Sequence, residues 1–233
     1  MVPLGGKPLL AHWIEAIACY GSSENGPKVD AFDEILVNTH YLAEVVDAFV
    51  RASPWAKRIT LLHETNLLGT AGTLRANSER LGESDFLMAH ADNASRFSVS
   101  QFIQRFRERP NGCVGTMMTF ETDTPQSCGI VQVDQAGVVV DYVEKVANPP
   151  GNVANAAVFI FDPTIHGIVD RLPLATDFCA DVVPHLVGRI NTFHNTEYHR
   201  DIGTPASYAG RQRLRLIRHW IPRTQHGHTK LRT

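Results

Sequence analysis

Strand-like and helix-like patterns alternate along the first half of the chain. Short apolar runs predict strands at Phe32–Asn38, Arg58–Leu62, Phe86–Ala89 and Cys113–Phe120. Between these runs apolar residues recur at helical spacing, as in the segment Val99–Phe106. Because strands that alternate with helices form sheets covered on both faces, the pattern predicts a doubly wound, mainly parallel α/β fold.

The second half of the chain changes to an antiparallel pattern. Alternating side chains over Gly129–Val133 and Val138–Val143, joined by a turn, predict a β-hairpin. Further predicted elements are an apolar strand at Ala156–Phe161, helices near residues 164–171 and 180–187, and a small polar β region at Ile190–His199. We therefore expect one domain with a small accessory β lobe.

The composition is that of an ordinary globular chain. Of 233 residues, 43% are hydrophobic, which is enough for a buried core and argues against disorder. The 22 basic and 24 acidic residues nearly cancel, so no overall field attracts nucleic acid or anionic lipid. No apolar run approaches the roughly 18 residues of a membrane-spanning helix. Four cysteines without a C-x-x-C pair argue against a disulfide scaffold and a zinc ribbon. These features predict a cytoplasmic enzyme or binding domain with no nucleic-acid or membrane partner.

The end of the sequence is basic. No acidic residue follows Asp201, whereas arginine and lysine recur through residues 213–233. Chain termini are usually loose, which favours a frayed, solvated tail. A surface that meets a phosphate-bearing partner is the other interpretation, and the sequence leaves both open.

A turn of small residues separates the second predicted strand from the following helix. It contains Gly69, Thr70, Ala71 and Gly72. Glycines let the backbone approach a ligand closely, and amides at a helix start favour anionic groups. A purely structural turn explains the same residues equally well. The chain has neither the G-x-G-x-x-G dinucleotide motif after a strand nor a P-loop.

Two aspartates follow strand-like segments. Asp92 comes directly after the third predicted strand, and Asp201 lies in a D-x-G turn before the last helix. In doubly wound sheets ligands bind beyond the carboxyl ends of the strands, where carboxylates can hold Mg²⁺ beside a phosphate. Either aspartate could instead cap its following helix. The repeated placement favours the metal and phosphate interpretation.

Glu144 and Lys145 end the second strand of the predicted hairpin. Adjacent residues on a strand point to opposite faces, but at a strand end the chain can turn both toward one cleft. A surface ion pair is the ordinary interpretation of an isolated Glu-Lys pair. The eleven histidines show no zinc-binding spacing, and no G-x-S-x-G elbow indicates serine catalysis.

In order along the chain, several segments together resemble the sugar-1-phosphate nucleotidylyltransferases. They extend from about residue 2 to residue 212, and the resemblance is greatest to small mannose-1-phosphate guanylyltransferase-like members. The matching segments are VPLGGKPLLAHWIE, VNTHYLAEVV, ETNLLGTAGTLRAN, FLMAHADN, CGIV, DYVEKV, NAAVFIFDP, DFCADVVP and DIGTPASY.

The resemblance implies a Rossmann-like nucleotidyltransferase fold and a reaction. A sugar 1-phosphate oxygen attacks the α-phosphorus of a nucleoside triphosphate, GTP being favoured, and an NDP-sugar and pyrophosphate form. By resemblance, Asp92 and Asp201 bind Mg²⁺ and are catalytic, as is Lys145, which contacts the sugar phosphate. The remaining implied contacts are Gly69, Thr70, Ala71 and Gly72 with the nucleoside, and Gly129, Glu144, Asn155 and Asp181 with the sugar.

The chain departs from the family pattern at its beginning. Family members start with an apolar strand and a loop resembling G-x-G-T-R-L-x-P-L-T, both before the position of Met1 here. We therefore expect residues 1–212 to form an N-terminally truncated nucleotidyltransferase domain that lacks the first strand, followed by the basic tail 213–233. A longer natural protein is then expected to be active, and the 233-residue chain poorly active or inactive.

Two other functions compete with this one. A non-catalytic regulatory subunit that binds nucleotide-sugar would use the same fold, since fold alone does not fix activity. A related transferase could also act on a non-sugar phosphate. The sequence leaves open whether the chain forms a homo-oligomer.

Overall fold

The computed structural model describes residues 2–18 and 32–209. The basic tail 213–233 lies outside the described residues. Within them the strands are β1 (Pro3–Leu4), β2 (Lys7–Pro8), β3 (Ile35–Thr39), β4 (Ile59–His63), β5 (Phe86–Ala89), β6 (Asn93–Arg96), β7 (Gly115–Glu121), β8 (Gly129–Val133), β9 (Val139–Glu144), β10 (Val153–Phe161), β11 (Ile190–His194) and β12 (Tyr198–Asp201).

The helices alternate with the strands in the first half, as predicted. They are α1 (Leu9–Ala18), α2 (Ala43–Ala52), α3 (Gly69–Ala76), α4 (Ser78–Leu81), α5 (Val99–Arg107), α6 (Thr164–Asp170) and α7 (Pro205–Ala209), with a π-helical turn at Phe178–Val182 and 3₁₀ turns at Ala56–Arg58, Pro125–Ser127 and Val183–Leu186.

The central sheet is mixed, with β10 as its longest strand. Strands β11, β7, β10, β8 and β9 are neighbours in that order, and β5 also pairs with β10. Because β10 is antiparallel to both β5 and β7, those two strands run in one direction, and β11 runs parallel to β7. The predicted hairpin forms as β8 and β9, and Ala154 of β10 pairs with Ile130, so the hairpin continues the sheet.

A β-bulge in β10 allows two different strands, β8 and β5, to pair with the same edge of β10. The register with β7 shifts between Asn155 and Phe159, and Ala157 has a positive φ of 50°. Before the shift β10 pairs with β8, and after it with β5. The bulge therefore places the ends of β5 and of the hairpin next to each other.

The core lies on both faces of this sheet, which confirms the doubly wound arrangement. Alternate residues of β10 contribute to each face: Phe159 and Phe161 belong to one buried cluster, Val158 and Ile160 to the other. The first cluster includes residues of α3, α6 and the 178–186 segment, and the second includes α1 and α5. No helix in residues 2–18 and 32–209 has the length and apolar character needed to cross a bilayer.

The β3–β4 pair and β5 are not joined to each other within the described part of the chain. Strands β3 and β4 form a separate parallel pair, and β5 pairs only with β10. Helix α1 spans both units, since Trp13 packs in the cluster of β5 and Ile14 in the cluster of β3 and β4. All four residues of β5 are half-buried, whereas the first five of β7 are fully buried. In residues 2–18 and 32–209, the edge of β5 opposite β10 therefore has no strand beside it.

The segment predicted as one polar β region divides between two sheets. Residues 190–194 form β11, which extends the central sheet beside β7, whereas β12 pairs with β6. Asn191 is fully buried in β11, and its carbonyl oxygen accepts a hydrogen bond from the Thr116 hydroxyl at 2.6 Å. This internal partner allows a polar sequence to occupy a buried strand.

Candidate active site

The backbone brings Asp92 and Asp201 together. Strand β12 pairs antiparallel with β6 so that Asp201 lies opposite Asn93, and the Ile202 amide donates to the Asp92 carbonyl at 3.1 Å. A Cβ atom on Gly203 would lie 2.6 Å from Oδ2 of Asp92 and 3.2 Å from Oδ1 of Asp201. The two carboxylates therefore face one small space beside Gly203.

This space has an excess of negative charge. Desolvation by surrounding protein atoms, and then the charge of Asp201, raise the pKa of Asp92 above its usual value. In the described residues no group of three or more acidic, histidine or cysteine side chains forms a complete metal cage. Two hard oxygen donors with the remaining positions left to water and phosphate suit Mg²⁺, which rarely takes an all-protein cage.

The turn of small residues is docked against the loop before the π-helical turn. The Ala71 amide donates to the Thr176 carbonyl at 2.9 Å, and the Phe178 amide donates to the Thr70 hydroxyl at 2.7 Å. Gly69 has a φ of +73°, and a Cβ atom there would overlap the Thr176 carbonyl. These contacts explain why glycine is needed at position 69.

A residue that the sequence analysis did not select, Glu64, holds the other side of this turn. Its buried carboxylate accepts hydrogen bonds from the Leu68 amide, at 3.1 Å, and from the Thr73 hydroxyl. Its own amide donates to the carbonyl of Thr39 at the end of β3. Glu64 thus fixes the turn to the ends of the β3–β4 pair.

The structure gives Asp181 hydrogen bonds within the protein. Its Oδ2 accepts from the amides of Thr176 and Asp177 at 2.8 and 2.9 Å, and these bonds lower the pKa of Asp181. The same loop contacts Thr70 and Ala71. Asp181 therefore supports the turn of small residues, and its predicted contact with the sugar stays a prediction.

The three other predicted sugar contacts form one cluster at the start of the hairpin. Gly129 pairs with Glu144 across β8 and β9, and a Cβ atom at 129 would lie 2.5 Å from Oε2 of Glu144. Asn155 lies on β10, next to the bulge. Tyr142 and Cys179, which were not selected from the sequence, complete the cluster: the Tyr142 hydroxyl donates to Glu144, and the Asn155 amide donates to Cys179 at 3.3 Å.

Burial keeps the Cys179 side chain a thiol. Desolvation, and then the charge of Glu144, raise the pKa of Cys179 to about 12. Period-two alternation could have revealed Tyr142, since it precedes Glu144 by two positions on one strand. No sequence spacing relates Cys179 to Asn155.

The chain turns sharply at Lys145 and directs this residue toward Glu144. Lys145 has a φ of +49°, and its amide donates to the Cys128 carbonyl at 3.1 Å. Its Nζ lies 3.5 Å from Oε1 of Glu144, and 63% of its side chain is exposed. Both residues of the pair are therefore on one side of the strand end, with the cation accessible to solvent.

The β10 bulge joins the aspartate pair to the cluster around Gly129. The His90 amide donates to the Ala157 carbonyl at 3.2 Å, and the Asn93 side chain donates to the Ala156 carbonyl at 3.1 Å. Asn155, one residue earlier, belongs to the Gly129 cluster. Since Cys179 follows the Phe178 amide that contacts Thr70, all three groups of predicted residues are linked by direct contacts.

A family model described as "Nucleotidyl transferase" matches residues 1–214 of this chain. The chain belongs to the nucleotidyl transferase family. Its relatives in that family include a probable mannose-1-phosphate guanylyltransferase of Oryza sativa subsp. japonica, 28% identical over 93% of this chain and 58% of the relative. A glucose-1-phosphate thymidylyltransferase of Streptomyces griseus is 30% identical over 72% of this chain and 44% of the relative. The chain thus spans about half the length of these relatives.

A solved structure supports the nucleotidyl transferase fold. The crystal structure of HddC from Yersinia pseudotuberculosis has a TM-score of 0.69 and 22% sequence identity, covering 90% of this chain and 86% of that one. The same protein in complex with GMP-PN gives the same values. The likeness to HddC shows that this chain shares the α/β fold of that protein.

Proposed function

We propose that this site transfers a nucleotidyl group from a nucleoside triphosphate to a sugar 1-phosphate. The observation that carries the proposal is the pair of carboxylates, Asp92 and Asp201, that face one space beside Gly203. A divalent cation there would offset the desolvation, and then the repulsion from Asp201, that raise the pKa of Asp92. Family membership supports the reaction class.

The reaction needs positioning and charge neutralisation more than covalent chemistry. The sugar phosphate oxygen forms a bond to the α-phosphorus, the bond to the β-phosphate oxygen breaks, and pyrophosphate leaves. Asp92 and Asp201 would hold Mg²⁺, which supplies positive charge to the phosphates when bound. Lys145 presents an exposed cation to the sugar phosphate.

The sugar hydroxyls are assigned to the cluster of Gly129, Glu144 and Asn155, which offers an acceptor carboxylate beside an amide. Asp181 borders this pocket through the loop that it fixes. The nucleoside is assigned to the turn of Gly69, Thr70, Ala71 and Gly72, which approaches closely because its glycines carry no side chain.

We favour GTP and a mannose- or heptose-type sugar 1-phosphate as substrates. Relatives from Oryza sativa and Mycobacterium tuberculosis are named mannose-1-phosphate guanylyltransferases, and HddC has been solved with GMP-PN. We also propose that the protein is cytoplasmic and that residues 1–212 form its nucleotidyltransferase domain. The proposal also includes weak turnover by the 233-residue chain, since the edge of β5, which leads to Asp92, has no strand partner within residues 2–18 and 32–209.

Pyrophosphate release from GTP and mannose 1-phosphate with Mg²⁺ tests the proposal. Asp92→Asn and Asp201→Asn should each lower the rate by about 100-fold or more. Asp47→Asn, which removes only an exposed ion pair with Arg51, is the matched control. Full activity of both site variants would contradict the proposal. Nucleotide-sugar binding without any turnover would identify a regulatory subunit instead.

A further inference from the structure

A chain of hydrogen bonds with a fixed direction runs through the Gly129 cluster. The Ala157 amide donates to Oδ1 of Asn155 at 2.9 Å, so the other end of this side chain is its NH₂ group. That group donates to Sγ of Cys179 at 3.3 Å, and as a donor near the Tyr142 hydroxyl it partly opposes the rise in the pKa of Tyr142 that desolvation causes. The bulge of β10 thereby fixes which way the Asn155 amide faces.

Tyr142 continues the chain toward Glu144. The ring is buried in the core of the sheet, at 8% exposure, and its hydroxyl donates to Oε2 of Glu144. Desolvation raises the pKa of Tyr142 far above its usual value, so the hydroxyl keeps its proton at neutral pH. Because a carboxylate oxygen only accepts hydrogen bonds, the Tyr142 hydroxyl is the donor in its bond to Glu144.

The two oxygens of Glu144 consequently differ. Oε2 is enclosed between the Tyr142 hydroxyl and the bare Cα of Gly129, where a Cβ atom would approach it to 2.5 Å. Oε1 lies on the side of the exposed Lys145, 3.5 Å from its Nζ, and the Glu144 side chain retains 20% exposure. Only Oε1 is available to a ligand, and it can only accept a hydrogen bond.

We propose that Tyr142 is a positioning residue that makes Glu144 select a sugar hydroxyl able to donate a hydrogen bond. The inference rests on the proposed sugar site and deepens it. Tyr142 itself does not touch the substrate. It holds one carboxylate oxygen in place and leaves the other as a single directed acceptor.

The consequence is selectivity at one sugar position. A deoxy sugar gives Oε1 no hydroxyl to accept from, and a fluoro sugar opposes it with a second acceptor, so both should bind weakly. In Tyr142→Phe the carboxylate can rotate, because Oε2 loses its donor. The discrimination between hydroxyl and fluorine should then fall while the overall pocket remains.

Calorimetric titration with α-D-mannose 1-phosphate and its monodeoxy and monofluoro analogues tests this role. For the analogues altered at the position that Glu144 contacts, we expect the wild-type dissociation constant to exceed that of the parent by at least ~100-fold. In Tyr142→Phe this ratio should fall below about 5-fold. GTP affinity should be unchanged within about twofold. Tyr198→Phe on β12 is the matched control and should keep the wild-type preference. Undiminished selectivity in Tyr142→Phe overturns the inference alone, whereas no sugar-phosphate binding by wild type overturns the proposed sugar site as well.

Glu144→Gln provides a second measurement that does not require Tyr142→Phe to fold. The Tyr142 hydroxyl should donate to the Gln carbonyl, so that the NH₂ group faces the ligand. Relative to wild type, Glu144→Gln should therefore weaken binding of the fluoro analogue less than binding of the parent sugar phosphate. In the double variant Tyr142→Phe/Glu144→Gln the amide is free to rotate, and the preference for hydroxyl should return in part. Equal preferences in the single and double variants would also overturn the inference.

Discussion

Each part of the candidate site depends on a residue without a side chain. Gly203 leaves space between the two aspartates, Gly129 lies against Tyr142 and Glu144, and Gly69 passes the Thr176 carbonyl. In all three positions an added methyl group would meet a polar group of the site at less than ordinary contact distance. Glycine is therefore part of the site's chemistry here, because it sets how closely charged and polar groups can approach.

Gly203→Ala should impair divalent-cation binding more than it impairs folding. The new methyl group would lie 2.6 Å from Oδ2 of Asp92, so this carboxylate must move away from Asp201. We expect at least a 10-fold loss of Mn²⁺ affinity, measured by electron paramagnetic resonance with Mn²⁺ as a probe for Mg²⁺. Gly151→Ala is the control, since a Cβ atom there meets nothing within 4 Å. Equal Mn²⁺ affinities in the two variants would contradict a shared cation site.

Asp92→Asn should stabilise the fold at neutral pH when no divalent cation is present. A raised pKa means that protonated Asp92 contributes stability that is fully present below the unfolded pKa of about 3.9 and lost as pH rises through the folded pKa. We expect a Tm about 1–2 °C above wild type near pH 7, and no difference near pH 3. Added Mg²⁺ should raise the Tm of wild type and not that of the variant. A lower Tm for the variant at pH 7 without metal would contradict this account.

At the scale of elements, the site consists of strand ends fastened by loops. Glu64 joins the turn of small residues to the ends of β3 and β4, and Asp181 joins the 176–177 loop to the π-helical turn. The two supports meet where Ala71 and Thr70 contact that loop. The turn of small residues is thus held from both sides by carboxylates whose hydrogen bonds lie within the protein.

Glu64→Ala should destabilise the protein and loosen this turn. The change removes the acceptor of the Leu68 amide and one of two acceptors of the Thr73 hydroxyl, which keeps only the Gly69 carbonyl at 2.9 Å. We expect a loss of about 2–3 kcal/mol in the free energy of unfolding, measured by urea denaturation, and weaker GTP binding. Glu83→Ala, at an exposed position before β5, should change stability by less than about 0.5 kcal/mol. A small effect of Glu64→Ala would mean that water replaces the carboxylate at no cost.

The sequence predicts those parts of the site that depend on strand order. Asp92 and Asp201 could be selected because each follows a strand-like segment, and ligand sites gather at such ends. Tyr142 could be reached by period-two alternation with Glu144, whereas no pattern identifies the carboxylate of Glu64 as the acceptor for Leu68 and Thr73. The role of Cys179 depends on a contact with Asn155, which is distant in the sequence. The sequence predicts β11 only as part of a polar β region, because Asn191 is polar although it is buried. The hydrogen-bond partner of Asn191, Thr116, is far away in the chain.

At the scale of the whole molecule, the main departure from a continuous sheet in the described residues is the interval between the β3–β4 pair and β5, where no strand is paired. Helix α1 covers it with Leu9 and Trp13 toward β5, and with Ile14 toward β3 and β4. Half-buried apolar side chains on both bordering strands remain partly open to solvent. Unpaired edges with apolar side chains are sites where another strand can add. We therefore expect this interval to lower the stability of the fold and to favour self-association.

Hydrogen–deuterium exchange followed by mass spectrometry should detect this interval. Strands β3 and β5 carry apolar sequences comparable to β7, but each has a partner on one edge only within the described residues. Amides directed to an open edge are bonded to water, so we expect peptides from β3 and β5 to exchange at least ~10-fold faster than those from β7 and β10. Peptides from β8 and β9, which form a regular hairpin, provide the internal reference. Equal protection of β5 and β7 at low protein concentration would show that a strand covers the edge. Protection of β5 that increases with protein concentration would instead show that a second copy of the chain pairs with it.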